Sequence, residues 1–470
     1  MALGVAAFWW NSSVNATPPA RTFAPTFDVG NMTIMLELPA QTIASLTVAA
    51  SDLPTGSFDF MPDPATFRGS HRLGDVSMRL RAAGSSDSFV TLTTGGVSAA
   101  KAAPLPTLPG ELAAADLSAT LDAPPTLSLR LERHYTRAAD GHGLKIRFGL
   151  TNLGSMPLEV GAWGAAMIFD TMATQGGGQR SLNDFAGNCS MVDPAIAGEG
   201  GWVSATRMTG TGGVLLIVPE GGAGVQAWRL MREASGGESF ELMSLSKAYN
   251  DSEWADAKGP QWLTPTSRVL APGEDTNFTY RLLLAPSVRD KDKALAAAGF
   301  PVVQAVPGWT IGTDMRSAAL HVLPPAGARI LHVSVEPEGS MDVAPPQPIG
   351  SGGFFTLGIR GIVRGRARAR VAFTDGTAHV SNFHVLPPFS EQLSLYGKFA
   401  SEVAWYSNTS DPFARGNSVL AWNRELKLHI GVPPEQVGSA PAPLRPRRPS
   451  APAAPTPALT PVLAPILERA

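Results

Sequence analysis

Alternation of apolar and polar residues at every second position is the feature of this sequence that most restricts its fold. It appears in runs such as TLSLRLERHYTR (126–137) and LKIRFGLTNLG (144–154), and similar runs extend from residue 23 to residue 288. A period of two places alternate side chains on opposite faces of a β-strand. Helical periodicity is almost absent there, and 48 Gly and 41 Pro residues supply turns between short strands. The sequence therefore predicts an all-β protein that begins with a large β-sandwich over residues 23–288.

A second set of alternating runs predicts a smaller sandwich after the first. The segment RDKDKALAAAGF (289–300) has the composition of a short helix that ends at Gly299, and we expect it to connect the two sandwiches. Four alternating runs follow within residues 301–388, and the dipeptide Asp375-Gly376 between two of them is a strong hairpin signal. Residues 301–388 are therefore predicted to form a small immunoglobulin-like β-sandwich.

Helical periodicity first becomes clear at residues 388–407. Apolar side chains such as Leu393, Tyr396 and Phe399 recur there at three- and four-residue spacing, which predicts a helix with one apolar face. Residues that would cover this face are expected next in the sequence, but none follow. Residues 389–437 are therefore interpreted as the incomplete start of a helical domain.

The two ends of the sequence have compositions of their own. Residues 438–470 are rich in Pro and Ala, which is typical of a disordered tail. Residues 1–22 include the apolar stretch ALGVAAFWW, with no Lys or Arg before it. This segment is compatible with a weak signal peptide or with a first strand.

The glycine-rich stretch GTGGVLLIVPEG (210–221) raises the question of a phosphate-binding loop. Such loops link a strand to a helix, and many carry a Lys that reaches the phosphate. Here the glycines precede the apolar run, no Lys follows, and Pro219 ends the run before any helix begins. We interpret residues 214–218 as a buried strand between glycine turns.

Composition argues against several other functions. The eight histidines are scattered without metal-ligand spacing, and Cys189 has no neighbouring histidine, so neither a metal nor a cofactor is expected. His379 and His384 are expected on opposite faces of one strand. A net charge of −2 gives no reason to expect nucleic acid as a partner, and no run reaches the roughly 18 apolar residues of a membrane span. The oligomeric state is left open.

Aromatic residues and carboxylates are concentrated in the segment SLSKAYNDSEWADAKGPQWLTP (244–265). Sugars bind through stacking on aromatic faces and through hydrogen bonds to their hydroxyl groups, so this composition is typical of a carbohydrate surface. A structural loop whose Trp residues pack on the sandwich is the alternative. The candidate ligand-binding residues are Tyr249, Asp251, Glu253, Trp254 and Trp262.

Asn-X-Ser/Thr sequons occur more often than chance composition predicts. Their number favours an extracellular protein or one of the secretory pathway. Two of the sequons lie near the N-terminus, at Asn11 and Asn15. The glycosylation candidates are Asn31, Asn188, Asn250, Asn277 and Asn408.

Several longer segments resemble a known family. They include GWVSATRMTGTGGVLLIVPEG (201–221), LLLAPSVRDKDKALAAAGFPVVQAVPGWTIGTDM (282–315) and WYSNTSDPFARGNSVLAWNRE (405–425). In order and spacing, residues 27–425 resemble the domain-of-unknown-function family 5695 of secreted microbial proteins. The resemblance implies large β-sandwich modules that lead into a helical six-hairpin half similar to that of glycosidases. It also implies a carbohydrate-related role, with a polysaccharide or other glycan as the partner.

The resemblance ends where the helical half should begin, which suggests C-terminal truncation. The expected function is therefore that of a non-catalytic or incomplete N-terminal half of a carbohydrate-active-enzyme-like secreted protein that contacts polysaccharide and shows no glycosidase turnover by itself. Asp411 and Arg415 join the candidate ligand-binding residues, at the edge of the helical half. One alternative is an active glycoside hydrolase or lyase that uses Glu253 or Asp251 on the large sandwich. Another is a structural or adhesive extracellular β-sandwich protein.

Overall fold

The computed structural model describes residues 22–53, 56–63, 67, 69–172, 174, 181, 187–221, 223–232, 238–256, 261–424 and 427–432. The chain divides into two compact units, Met1–Pro387 and Pro388–Ala470. Strands dominate the first unit, and the prediction of an all-β, sandwich-like fold is confirmed. The predicted tail, 438–470, and nearly all of the predicted N-terminal segment, 1–22, lie outside the described residues.

The strands of the large sandwich are mostly short, with turns between them. They are β1 (Thr22–Val29), β2 (Met32–Leu38), β3 (Thr42–Ala49), β4 (Ser57–Asp59), β5 (Val76–Ala82), β6 (Val90–Thr93), β7 (Ala103–Pro104), β8 (Glu111–Asp116), β9 (Leu129–Arg137), β10 (Leu144–Asn152), β11 (Leu158–Met167), β12 (Ser190–Ala195), β13 (Trp202–Arg207), β14 (Val214–Glu220), β15 (Ala227–Arg232), β16 (Glu238–Leu245), β17 (Arg268–Leu270) and β18 (Asp275–Ala285). A single helical turn, α1 (Lys247–Asn250), follows β16.

Two large sheets and one smaller sheet share the core of this sandwich. Eight strands pair in the order β12-β13-β14-β18-β10-β9-β8-β7, and five pair in the order β15-β16-β11-β5-β6 with β17 added beside β11. The third sheet is β1-β2-β3-β4. Trp163 of β11 stacks on Phe278 of β18 with 4.1 Å between ring centroids, which joins the two larger sheets across the core.

The glycine-rich stretch forms a turn and a strand, as predicted. Gly212 and Gly213 have positive φ angles of 82° and 86°, which favour glycine, and β14 after them is almost entirely buried. β14 ends at Glu220, beyond the predicted end. On one side β14 pairs with β13 only as far as Ile217, so the missing N–H of Pro219 breaks no hydrogen bond to that strand.

The second sandwich follows a short helix, α2 (Lys291–Ala297). Its strands are β19 (Val302–Val306), β20 (Thr310–Gly312), β21 (Ala319–Leu323), β22 (Ile330–Glu336), β23 (Met341–Val343), β24 (Gln347–Ile349), β25 (Phe354–Gly361), β26 (Gly365–Phe373) and β27 (Ala378–Leu386). They form one sheet of β19-β21-β25-β23 with β24 beside β25, and another of β20-β27-β26-β22. The predicted hairpin at Asp375-Gly376 joins β26 to β27 and is confirmed.

The helix between the sandwiches is part of a hydrophobic core. Leu295 of α2 is fully buried in a cluster with Leu216 of β14, Leu283 of β18 and Val302 of β19. The predicted connector, 289–300, therefore lies inside the first compact unit. The exact domain boundaries on either side of it stay predictions.

The second unit begins with the predicted amphipathic helix, α3 (Phe389–Glu402), followed by β28 (Trp405–Tyr406), β29 (Ser418–Val419), β30 (Trp422–Asn423) and β31 (Leu428–His429). The helix ends before the predicted residue 407, because Trp405 and Tyr406 pair with β29 as a strand. None of the α3 residues is buried.

Candidate functional site

Two of the predicted tryptophans line the same cleft on the first unit. This cleft has a volume of about 330 Å³, and we call it the Trp cleft. Its polar residues come from separate segments, which the fold of the large sandwich brings together. The lining residues are Ile196, Gln226, Ala227, Trp228, Ser246, Trp254, Gln261, Trp262, Leu263 and Pro265.

Trp254 is held in place by the turn that begins with α1. Its indole stacks on the ring of Tyr249 with 5.3 Å between centroids, and the backbone N–H of Trp254 donates to the Tyr249 carbonyl at 2.9 Å. The Tyr249 side chain is buried, and the Arg79 guanidinium lies over its ring at 3.8 Å. Burial raises the pKa of the Tyr249 phenol. Tyr249 therefore supports Trp254 from beneath, whereas Trp254 lines the cleft.

Trp262 is the more open of the two predicted tryptophans, with 39% of its surface exposed. The guanidinium of Arg366, on β26 of the second sandwich, lies 4.4 Å from the centre of its ring. A cation over one face of an indole orients the ring without needing to cover it completely. The Trp262 ring is therefore oriented by Arg366 and forms part of the aromatic lining of the Trp cleft.

Sequence reasoning missed the third tryptophan of the cleft, Trp228. Its ring stacks on Phe240, with 5.1 Å between centroids and 18° between planes. Trp228 is remote in sequence from the segment 244–265, so local composition gives no sign of their proximity. The segment VQAWRLM, which contains Trp228, is nevertheless part of the sequence that resembles the family.

A hydrogen-bonded amide lies beside these rings. The Gln226 Oε1 atom accepts from the Ser246 hydroxyl at 2.9 Å and from the Thr266 N–H at 3.3 Å, while its Nε2 donates to the Thr266 hydroxyl. This network fixes the amide of Gln226 at the wall of the cleft. Aromatic faces next to fixed amide and hydroxyl groups suit a ligand with an apolar face and polar edges.

The predicted carboxylates are engaged in ion pairs outside the cleft lining. Glu253 pairs with Arg79, and Asp251 pairs with Lys247 one helical turn before it. The hydrogen bond from Lys247 is the main cause that lowers the pKa of Asp251. A general acid in glycoside hydrolysis needs a raised pKa, so this environment does not suit Asp251 to that role. None of the described residues that line the Trp cleft is a carboxylate.

Asp411 and Arg415 belong to the second compact unit and contact each other. The carboxylate of Asp411 accepts from Arg415 Nη2 at 2.7 Å and from Nε at 3.0 Å. The hydrogen bonds from Arg415 lower the pKa of Asp411 to about 2. Arg415 also donates to the Gly431 carbonyl at 2.8 Å. The pair thus fastens a loop, and its predicted role in ligand binding stays a prediction.

The described part of the chain contains no group of three or more His, Cys, Asp or Glu side chains placed to hold a metal ion. None of its helices is both long and apolar enough to cross a membrane. Cys189 is buried.

Residues 35–434 match the model of DUF5695, a family of unknown function. None of the curated proteins compared with the chain matches it.

Among solved structures, a polysaccharide lyase is similar to this chain with a TM-score of 0.60 and 11% sequence identity. The match covers 85% of this chain and 52% of the lyase, so the chain spans about half the length of that protein. A galactose mutarotase related enzyme from Lactobacillus acidophilus matches 55% of this chain and 96% of its own, with a TM-score of 0.33 and 10% identity. A GH36 α-galactosidase from Geobacillus stearothermophilus matches 62% of this chain and 45% of its own, with a TM-score of 0.30 and 10% sequence identity. At 11% sequence identity, the similarity to the lyase shows a shared fold and no more.

Proposed function

Because the chain belongs to DUF5695, a family of unknown function, we propose a function from its own geometry: the Trp cleft binds a sugar unit of a polysaccharide. The observation that carries the proposal is the convergence of Trp228, Trp254 and Trp262 beside the fixed amide of Gln226. The C–H face of a pyranose ring packs on an indole, and its hydroxyl groups hydrogen-bond to amides and hydroxyls at the ring edge.

Two further observations support this carbohydrate role. The chain shares its fold with a polysaccharide lyase over most of its own length. The described lining of the Trp cleft carries no carboxylate, which favours binding over glycoside hydrolysis at this cleft. The function that we propose is therefore that of a polysaccharide-contacting β-sandwich protein.

Replacement of Trp262 by Ala tests the proposal. A glycan array first identifies a polysaccharide that binds, and titration calorimetry then compares the variants. Since Trp262 is 39% exposed and lies beside the Arg366 guanidinium, we expect Trp262→Ala to weaken binding by about 1–3 kcal/mol while the melting temperature stays within about 2 °C.

Trp405→Ala is the matched control, because Trp405 is a comparably exposed indole outside the Trp cleft. It should bind the polysaccharide like the wild type. Equal affinity of Trp262→Ala and wild type would show that the cleft does not contact the glycan. Failure of every glycan on the array to bind would instead favour the structural or adhesive alternative.

We also propose that the protein is secreted and carries N-linked glycans. Asn31, in the β1–β2 turn, and Asn188 are exposed, whereas Asn277 on β18 is half-buried. Expression in a eukaryotic secretory host should therefore modify Asn31 and Asn188 more fully than Asn277. Mass spectrometry after glycosidase treatment measures this, with Asn31→Gln as the control. Unmodified Asn31 and Asn188 in secreted protein would contradict the proposal.

A further inference from the structure

A second cleft, of about 220 Å³, lies next to the Trp cleft, and we call it the Arg groove. Gln226 and Leu263 line both clefts, so the two are neighbours on the surface of the first unit. The other lining residues are Gly198 and Thr264 from the large sandwich, and Ser334, Glu336, Arg368, Arg370 and Val380 from the small one. A ligand bound in the Trp cleft can therefore extend onto the surface of the small sandwich.

Alternation along β26 places three arginines on one face of its sheet. The strand reads GRARARVAF, and Ala367 and Ala369 are buried in the core of the small sandwich. Side chains two residues apart share one face of a strand, so Arg366, Arg368 and Arg370 all point away from that core. Four residues at about 3.3 Å each separate the first arginine from the last, so the row spans about 13 Å.

The two arginines of this row that line the Arg groove are accessible. Arg370 is exposed and makes no ion pair with any residue that the structure describes. The Arg368 side chain is 26% exposed, and it pairs with Glu336 at 3.8 Å, across a long contact to a carboxylate that is 67% exposed. Such an exposed pair contributes little to stability, so an incoming anion can compete with Glu336 for Arg368.

Arg366 connects the row to the Trp cleft. Its guanidinium lies 4.4 Å from the centre of the Trp262 ring, and Trp262 lines the Trp cleft. Glu336 is the only carboxylate among the described residues that line the Arg groove, whereas Arg368 and Arg370 both line it. Positive charge is therefore concentrated beside the aromatic surface, although the net charge of the whole chain is −2.

Protection of a sheet edge does not explain this row. Charged side chains often guard edge strands against pairing with other chains, but β26 lies between β27 and β22 inside its sheet. Three like charges on one face repel one another, and a bound anion relieves that repulsion. The planar guanidinium group also presents paired N–H donors, whose geometry matches the oxygens of a carboxylate or a sulfate.

We propose that the protein binds an acidic polysaccharide, with one sugar unit in the Trp cleft and the carboxylate or sulfate groups of adjoining units on Arg368 and Arg370. This inference deepens the proposed function and rests on it for the position of the stacked sugar. It adds the sign of the ligand's charge and the direction of the bound chain, from the large sandwich onto the small one.

The test compares three polymers by titration calorimetry of the full-length protein: polygalacturonate, which carries carboxylates, dextran sulfate, which carries sulfates, and dextran, which is neutral. We expect at least one acidic polymer to bind about 10-fold or more tightly than dextran at about 50 mM sodium chloride. The preference should shrink at about 500 mM, because salt screens exposed charges. The acidic polymer that binds identifies the anionic group. Failure of both acidic polymers to bind more tightly than dextran would overturn the inference.

Substitution of Arg370 tests the groove itself. Arg370→Gln should bind the acidic polymer about 5- to 10-fold more weakly at the lower salt concentration, with an unchanged melting temperature because Arg370 is exposed. Arg370→Lys keeps the charge but loses the paired donors, so its affinity should lie between those of Arg370→Gln and the wild type.

Arg316→Gln is the matched control for charge. Arg316 is an exposed arginine of the small sandwich that lines neither cleft, and its replacement removes the same charge. Arg316→Gln should bind the acidic polymer like the wild type. Equal losses in Arg316→Gln and Arg370→Gln would show that affinity follows the net charge of the protein, and the Arg groove would then have no specific role.

Trp262→Ala separates this inference from the proposed function. A polysaccharide that spans both clefts should bind more weakly to Trp262→Ala and to Arg370→Gln alike. If Trp262→Ala weakens polysaccharide binding while Arg370→Gln leaves it unchanged, the inference fails and the proposed function stands. If Arg370→Gln weakens the binding of the acidic polymer while Trp262→Ala leaves it unchanged, the proposed function fails and the anionic contact at the Arg groove stands.

Discussion

His379 is a buried titratable residue of the first unit, and its burial makes the stability of the fold depend on pH. Its imidazole is 4% exposed, and Nδ1 donates to the Gly200 carbonyl at 3.2 Å. Burial lowers the pKa of His379 from 6.5 to about 4. The imidazole is therefore neutral in the folded protein at pH values where it is already partly protonated in the unfolded chain.

The sign of the resulting pH dependence follows from these pKa values. Well above pH 6.5, His379 is neutral in both the folded and the unfolded protein, so it does not make the free energy of unfolding depend on pH. As the pH falls from 6.5 to 4, the unfolded chain binds a proton that the folded protein does not, so the free energy of unfolding should fall by about 3 kcal/mol. Urea denaturation at pH 7 and pH 4.5 measures this loss.

Two histidine variants isolate this effect from that of other titrating groups. His379→Gln should lose less stability than the wild type between pH 7 and pH 4.5, although it is less stable at pH 7. His384→Gln, on the exposed face of the same strand, should keep the wild-type loss. An identical loss in His379→Gln and wild type would contradict the prediction.

The sequence correctly placed these two histidines on opposite faces of one strand, but only tertiary contacts with residues 197–200 decide which one is buried.

At the scale of elements, the turn between β9 and β10 depends on a glycine. Gly143 has a φ angle of 108°, and a Cβ there would overlap the Leu282 carbonyl oxygen of β18. Gly141 in the same turn also has a positive φ, 76°, but a Cβ there would have no atom within 4 Å. The first position therefore combines backbone strain with a clash, and the second has backbone strain alone.

We expect Gly143→Ala to lower the free energy of unfolding by about 3 kcal/mol or more, because β10 or β18 must shift to relieve the overlap. Gly141→Ala should cost about 1 kcal/mol, the usual cost of a positive φ for Ala. Equilibrium urea denaturation compares the two variants. Equal losses in both would indicate that the pairing of β10 with β18 yields easily at this point.

Period-two alternation predicted the strands that are buried on one face. β10 alternates between buried and half-buried residues along its full length, and its predicted extent agrees closely with the observed strand. β11 was not predicted, because all ten of its residues are buried and its sequence, LEVGAWGAAM, shows no alternation. The end of α3 was predicted too late for a related reason: the pairing of β28 with β29 is a non-local contact that helical spacing does not reveal.

At the scale of the whole molecule, the two sandwiches share a hydrophobic core through α2. Leu295 is fully buried among residues of β14, β18 and β19. Leu295→Ala should therefore lower the free energy of unfolding by about 2–5 kcal/mol, and both sandwiches should lose stability together. Leu331→Ala is the control, since this leucine of β22 is 62% exposed and its loss should cost less than about 0.5 kcal/mol.

Hydrogen exchange at increasing urea concentration tests whether the loss is shared. Peptides from β14 and from β26 should lose protection at one shared midpoint in the wild type, and at one shared, lower midpoint in Leu295→Ala. A lower midpoint for β26 alone would mean that the small sandwich unfolds independently.

The sequence predicted the aromatic side of the Trp cleft, since Trp254 and Trp262 are neighbours in the chain. It did not predict that Trp228 lines the same cleft, because Trp228 lies outside the segment 244–265 and meets the other two tryptophans only in the folded molecule.

The packing of α2 also has a mechanical consequence. A segment between two modules usually acts as a hinge, but here Leu295 and Phe300 are buried against strands of the large sandwich. The backbone N–H of Val380 additionally donates to the Ala197 carbonyl across the junction at 3.3 Å. We therefore expect a tensile load on the small sandwich to be transmitted to β14 and β18, with little bending of the segment between the two sandwiches. The described parts of the two sandwiches should respond to such a load as one rigid body.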